Sequence, residues 1–258
     1  MLETNRSLYD AFLELTTIIS RLRQECPWDM EQTHESLRAP LLEEAHEAIE
    51  AIDRQDFPEL KKELGDLLLH IIFHADLARE EGHFTLQEIF ESESAKLIYR
   101  HPHVFGTTEV SSADDVAKNW EQLKRKETGR ASVIDGVPIT IGALQRAGRI
   151  QEKASKVGFD WKEPEQVLEK VREELNEFLA ETDRKAREDE FGDLLFSLVN
   201  FSRFAKNEPE TALRNATAKF ERRFREVEKH VEASGRNWDV YELSELDQIW
   251  DKVKKENS

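Results

Sequence analysis

Two carboxylates three residues apart, Glu44 and Glu47 in LLEEAHEAIE, are followed by two more, Glu63 and Asp66 in KKELGDLLLHIIF. Residues three apart on a helix share a face, so each pair directs its side chains the same way. A short turn between two such helices would gather all four carboxylates. Together they repel one another unless a cation compensates them. A set built only of oxygen donors favours a hard ion, Mg²⁺ or Mn²⁺. The arrangement recurs: Glu174 and Glu177 in VREELNEFLA precede Glu190 and Asp193 in EDEFGDLLFSLVN. Both second segments contain Glu-x-Gly-Asp-Leu-Leu. A lone Glu-x-x-Glu pair is an ordinary feature of a solvated helix. The second pair, the glycine and the recurrence make it a candidate metal site.

Other residues repeat in the same order. Lys96 and Arg100 in AKLIYRHPHV match Lys219 and Arg223 in AKFERRFREV, and Trp120 matches Trp250. Lys219 and Arg223 are four apart, so one helix face would offer two cations to phosphate oxygens, or to neighbouring acids. Trp250 stands four before Lys254. It suits stacking on a base or anchoring a core.

The elements that must position these groups read as helices. Apolar residues recur at threes and fours, as in Leu64, Leu67, Leu68, Ile71 and in Leu194, Leu195, Leu198, Val199. β-branched alternation is nearly absent, so the fold class is all-α. These stripes are expected to be buried, with Glu63, Asp66 and His70 at the rim of the core. Gly65 and Gly192 each weaken a helix by about 1 kcal/mol, which close approach of another helix would offset. Helices are predicted near 5–25, 40–53, 57–81, 85–99 and 112–126, then near 140–156, 164–182, 185–205, 209–232 and 243–255. Pro40 and Pro58 suit first turns. ETGRASVIDGVPIT lacks periodicity and holds two glycines and a proline, a linker pattern. The expected organisation is two tandem duplicated helical domains, 1–126 and 140–258, joined by a linker at 127–139.

Composition narrows the function classes. The 258 residues are 38% hydrophobic and 35% charged, with a net charge of -17. That charge gives no basic field for a nucleic-acid backbone. No apolar run approaches the roughly 20 residues of a membrane helix, and the N-terminus shows no basic-then-apolar leader. A single cysteine, Cys26, excludes an internal disulfide framework and fits a cytoplasmic location. Small phosphorylated ligands stay compatible, because bound cations invert the local charge.

At these residues the chain closely resembles the MazG family of nucleoside triphosphate pyrophosphohydrolases in its two-domain form. The likeness rests on Glu43-Glu44-Ala45-His46-Glu47 with Glu63 and Asp66, and on Glu173-Glu174-Leu175-Asn176-Glu177 with Glu190 and Asp193. CPWDMEQTHESL, RHPHVFG, KVGFDW and KFERRFREVE extend it over nearly the whole chain. The resemblance implies helical bundles completed by homodimerisation. It implies Mg²⁺-dependent hydrolysis of nucleoside triphosphates of broad base range, in nucleotide-pool housecleaning or stress-nucleotide control. It implies that the C-terminal domain is the catalytic one. Glu174, Glu177, Glu190 and Asp193 would then be the metal ligands, with Glu173 or Glu174 orienting water. Lys219, Arg223, Trp250 and Lys254 would hold the nucleotide, with Lys170 and Arg172 close by. Glu44, Glu47, Glu63 and Asp66 would form a second site.

The acids alone do not choose between the halves. His70 and His74 stand where the second half has Ser197 and Phe201, and Pro102 stops the helix after Arg100, whereas the second-half helix continues past Arg223. Two other readings compete. A di-iron carboxylate bundle needs Glu-x-x-His pairs; Glu31/His34 and Glu43/His46 provide them, without recurrence in the second half. A dimeric helical nucleotide sensor or scaffold without catalysis is the other.

Overall fold

The structure, a computed structural model, describes residues 7–112, 115–116, 119–120, 123 and 131–256. Among the described residues every regular element is helical, and the chain divides into two compact units, Met1–Leu123 and Lys124–Ser258.

In the first unit, α1 spans Leu8–Glu25, α2 Pro27–Met30, α3 Arg38–Arg54, α4 Phe57–Glu80, α5 Leu86–Arg100 and α6 Pro102–Phe105. Capping chemistry sets several starts. Ser7 and Asp10 form a capping box on α1, as do Thr85 and Glu88 on α5. Asp56 accepts from the Glu59 N–H at the start of α4, with a proline in its first turn. Only Gln55, in the left-handed region at φ 56°, and Asp56 separate α3 from α4, so the two helices return on each other. The core is Ile19, Leu37, Ile72, Phe73 and Leu77, with Phe12 and Leu15 packed on it.

In the second unit, α7 spans Ala143–Ser155, α8 Pro164–Ala180, α9 Arg184–Phe204, α10 Pro209–Ser234 and α11 Leu243–Glu256. A 3₁₀ turn at Trp238–Val240 precedes α11. Asp183 caps α9 through the Lys185 and Ala186 N–H groups, so three residues connect α8 to α9. α8 and α7 both pack on α9. α10 and α11 form their own hairpin around Val227, Val231 and Val253. Gly235 ends α10 at φ 71°, a conformation glycine adopts freely.

The leucine stripe departs from its expected burial. Leu64 is 53% and Ile71 46% exposed, whereas Glu63 and His70 are buried. The cause is geometric: α1 and α3 pack on the opposite side of α4, which buries Ile72, Phe73 and Leu77. The second unit repeats this in part, with Leu195 and Leu198 exposed and Leu194 and Val199 buried. The glycine argument also fails within one chain. Among the described residues, a Cβ at Gly65 or Gly192 would meet nothing within 4 Å outside its own helix.

The expected helix at 112–126 falls mostly outside the described residues, as do linker residues 127–130. Residues 131–140 carry turns and bends. The single-turn elements α2 and α6 were not foreseen, because one turn is too short for a hydrophobic period to register. Glu31 caps the end of α2 and His34 lies in the turn beyond it, so this pair shares no helix face. Arg100 does end α5, and Pro102 opens a separate turn. α10 continues past Arg223 to Ser234.

Candidate active site

In the second unit α8 presents Lys170, Glu173, Glu174 and Glu177, and α9 presents Glu190 and Asp193. Carboxylate oxygens of Glu174, Glu177 and Glu190 lie within 4.8 Å of one another. Glu174 is buried. Burial, followed by the charges of Glu177, Glu174 and Asp193, pushes the Glu190 carboxyl above the ordinary carboxylate range. That is the signature of negative charge awaiting compensation. Lys170 supplies part of it, with its Nζ 2.6 Å from Glu174 Oε1 and 2.8 Å from Glu173 Oε1. Those two carboxylates hold the lysine charged, far above its usual pKa. The all-oxygen donor set, closely spaced and partly buried, fits a hard divalent cation.

A cavity of about 540 Å³ opens beside these acids. Lys170, Glu174 and Asp193 line it, and Phe159, Trp161 and Phe196 contribute apolar wall. Gln151, Ser197 and Asn200 line it as well, all three buried. Asp160 and Arg203, also in its lining, form an ion pair at 2.5 Å. A cavity lined by a lysine and carboxylates together with aromatic rings suits an amphipathic ligand bearing phosphates.

The first unit assembles its acids too: Glu44, Glu63 and Asp66 bring oxygens within 4.8 Å of one another. Burial first, then the Glu47 carboxylate, raises Glu63 to about 7. Burial, Asp66 and Glu47 raise Glu44. The surroundings differ. With the acids aligned, Lys170 corresponds to Pro40, Ser197 to His70 and Asn200 to Phe73. His34 and His74 stack at 5.0 Å with their Nδ1 atoms 2.7 Å apart, and His70 lies 6.3 Å from His74. Burial, with the charges of His34 and His70, depresses the His74 pKa. The cavity reaching these acids is about 160 Å³, lined by Glu47, Glu50, Arg54, Asp56, Glu59 and Glu63.

The remaining expected residues lie elsewhere. Arg172 is exposed on α8. Lys219 and Arg223 are on α10, and Trp250 and Lys254 on α11; none of the four lines the cavity. Trp250 packs on Phe220 with ring centroids 5.2 Å apart and joins the hairpin core. In the first unit the Arg100 guanidinium lies 5.3 Å from the centre of the Trp120 ring. Sequence reasoning missed Ser197, Asn200 and Gln151. The first two were findable: Asp193, Ser197 and Asn200 follow at i, i+4 and i+7, a polar line down an otherwise apolar helix. Gln151 carries no such signal.

Comparison with known proteins places this geometry in context. The MazG nucleotide pyrophosphohydrolase domain matches residues 32–105. The nucleoside triphosphate pyrophosphohydrolase/pyrophosphatase MazG of Thermotoga maritima is 47% identical over 247 residues, covering 94% of this chain and 95% of that protein. The nucleoside triphosphate pyrophosphohydrolase of Escherichia coli strain K12 is 42% identical over 253 residues, covering 94% and 96%. An uncharacterised Bacillus subtilis protein, YabN, is 41% identical across 98% of this chain, which spans 54% of its length.

Proposed function

This chain belongs to the MazG family, and we propose that its second unit hydrolyses nucleoside triphosphates to nucleoside monophosphate and pyrophosphate. It is a hydrolase acting on acid anhydrides. The observation that carries the site is the continuity between the carboxylates of α8 and α9 and the aromatic-walled cavity.

Glu174, Glu177, Glu190 and Asp193 would hold Mg²⁺, with Mn²⁺ as a substitute. When bound, that ion neutralises phosphate charge and makes water more acidic. Glu173, with Glu174, orients the water that attacks the α-phosphorus. Lys170, already paired with both, sets their position and adds fixed positive charge where phosphate charge develops. The aromatic wall seats the nucleoside. Arg172 lies along the same helix. The α-phosphorus gains an oxygen from water, its bond to the bridging oxygen breaks, and pyrophosphate leaves.

Two tandem domains completed by homodimerisation form part of the proposal. Its support is the leucine stripes of α4 and α9, whose Leu64, Ile71, Leu195 and Leu198 are exposed. A second copy also gives the α10–α11 hairpin a route to the nucleotide, with Lys219, Arg223, Trp250 and Lys254 reaching the cavity across the dimer. Broad base range and a housecleaning or stress-nucleotide role follow the family.

The test is pyrophosphate release with Mg²⁺ and a panel of nucleoside triphosphates. Release by the wild type and by Glu44→Ala, lost in Glu174→Ala, supports the assignment. No release from any substrate overturns the hydrolase reading.

A further inference from the structure

Between α7 and α8 the chain crosses residues 156–163, and part of this segment forms cavity wall. Gly158, at φ 88°, turns the chain away from α7, and the Phe159 N–H donates to the Ala154 carbonyl at 3.2 Å. At the other end the Lys162 and Glu163 N–H groups donate to Gln166 Oε1, which ties the segment to the start of α8. Phe159 and Trp161 lie between these ties and line the cavity. Phe159 is 81% and Trp161 41% exposed, so packing of the rings gives the segment little support.

Asp160, between the two rings, is anchored to α9. It accepts from Arg203 Nη1 at 2.9 Å and Nη2 at 2.5 Å. Its Oδ1 also accepts from the Trp161 N–H at 3.0 Å. Such a fork fixes a carboxylate in direction as well as distance. Both side chains are about three-quarters buried, where water screens the pair less than on an open surface.

Arg203 is braced in turn. Its Nε and Nη2 donate to Asn200 Oδ1 at 3.2 Å and 2.8 Å, and Asn200 is buried on the same helix. A guanidinium has five N–H bonds and no acceptor. With its charge answered by Asp160 and its donors committed to two side chains, Arg203 has little left to offer a phosphate, although it lines the cavity. The arrangement suits a clamp rather than an anion ligand.

We propose that Arg203 is a positioning residue for the nucleoside: braced by Asn200 on α9, it grips Asp160 and so holds Phe159 and Trp161 in the cavity wall where the nucleoside rests. It acts through the segment and touches no reacting atom. The inference rests on the nucleotide reading of the cavity and deepens it.

Calorimetry with two products, each with Mg²⁺, tests the clamp. AMP carries the nucleoside, and inorganic pyrophosphate carries phosphates alone. Arg203→Gln is expected to weaken AMP binding about tenfold, the scale of a misplaced contact surface, and to leave pyrophosphate binding within about twofold. In turnover the KM for ATP should rise about tenfold with kcat within about threefold. Asp160→Ala should reproduce the AMP loss, and the double variant should bind AMP no worse than about twofold below either single, because both act through one contact. Unchanged AMP affinity in Arg203→Gln overturns the proposal. So does an equal loss of pyrophosphate binding, which marks a general loss of structure, and so do losses that multiply in the double variant. Wild-type protein that binds no AMP overturns it as well. Both probes are products, so these results are read without turnover and stand apart from a failure of hydrolysis.

Discussion

Beyond Asp66, α4 runs through His70 and Phe73 into a packed core with Ile19, Leu37 and Leu77. Beyond Asp193, the matching stretch of α9 runs through Ser197 and Asn200 and borders a cavity of about 540 Å³. The acids precede both stretches, and in each unit they gather closely enough to hold a cation. Carboxylates create a place for charge. Whether a substrate can use it depends on the space alongside, which one unit fills with an aromatic ring and the other leaves open between amides. The units also differ in fixed positive charge, since Lys170 bridges Glu173 and Glu174 where the first unit has Pro40.

The largest expected effect separates the acids themselves. Glu174→Ala should lower pyrophosphate release by about two orders of magnitude or more, while Glu44→Ala changes it less than about twofold. Comparable losses in both would dissolve the distinction. Next come the interiors. Asn200→Phe, which installs the first unit's residue, should close the cavity and cut kcat/KM about 100-fold, with thermal unfolding confirming a folded protein. The reciprocal Phe73→Ala should destabilise the first unit by about 3–5 kcal/mol in denaturant melts, with turnover at permissive temperature retained.

Lys170→Met sharpens the charge difference. It should reduce kcat about 10- to 100-fold, whereas Pro40→Lys in the first unit should add no activity. Turnover unchanged in Lys170→Met would remove the lysine from the mechanism. The smallest effect is a pH dependence of the first unit. Burial and the Glu47 carboxylate push the Glu63 carboxyl up to about 7 in the folded chain, from its ordinary 4.5. Its folded pKa is the higher one, so the folded state binds the extra proton between those values. Stability is then full below about 4.5 and declines as pH rises through about 7. Melting in EDTA should show that decline, and Glu63→Gln should flatten it. A melting temperature that rises over this window would contradict the burial of Glu63.

Most of the helices were legible because an amphipathic helix writes its period into the sequence. α4, expected near 57–81, spans Phe57–Glu80, and α9, expected near 185–205, spans Arg184–Phe204. The acid clusters were legible for the same reason: i, i+3 spacing and a short connection leave little freedom in where the carboxylates go. Which side of α4 faces the core was not. Leu64 and Ile71 satisfy the helical period as well as Ile72 and Phe73 do, and nothing local ranks one apolar face above the other. The expected roles of Lys219, Arg223, Trp250 and Lys254 drew on spacing, the internal repeat and likeness, and the hairpin that carries them packs around its own core.

From residue order come the all-α class, the repeated acidic pairs and the kind of ion they suit. These depend on periodicity, charge and ligand chemistry, which are local. Tertiary packing decided that Phe73 fills a core while Asn200 borders a cavity. It also decided that Gln151 keeps a buried oxygen without a partner. Open space and an unmet hydrogen bond depend on how distant segments meet, and no short stretch of sequence encodes that meeting.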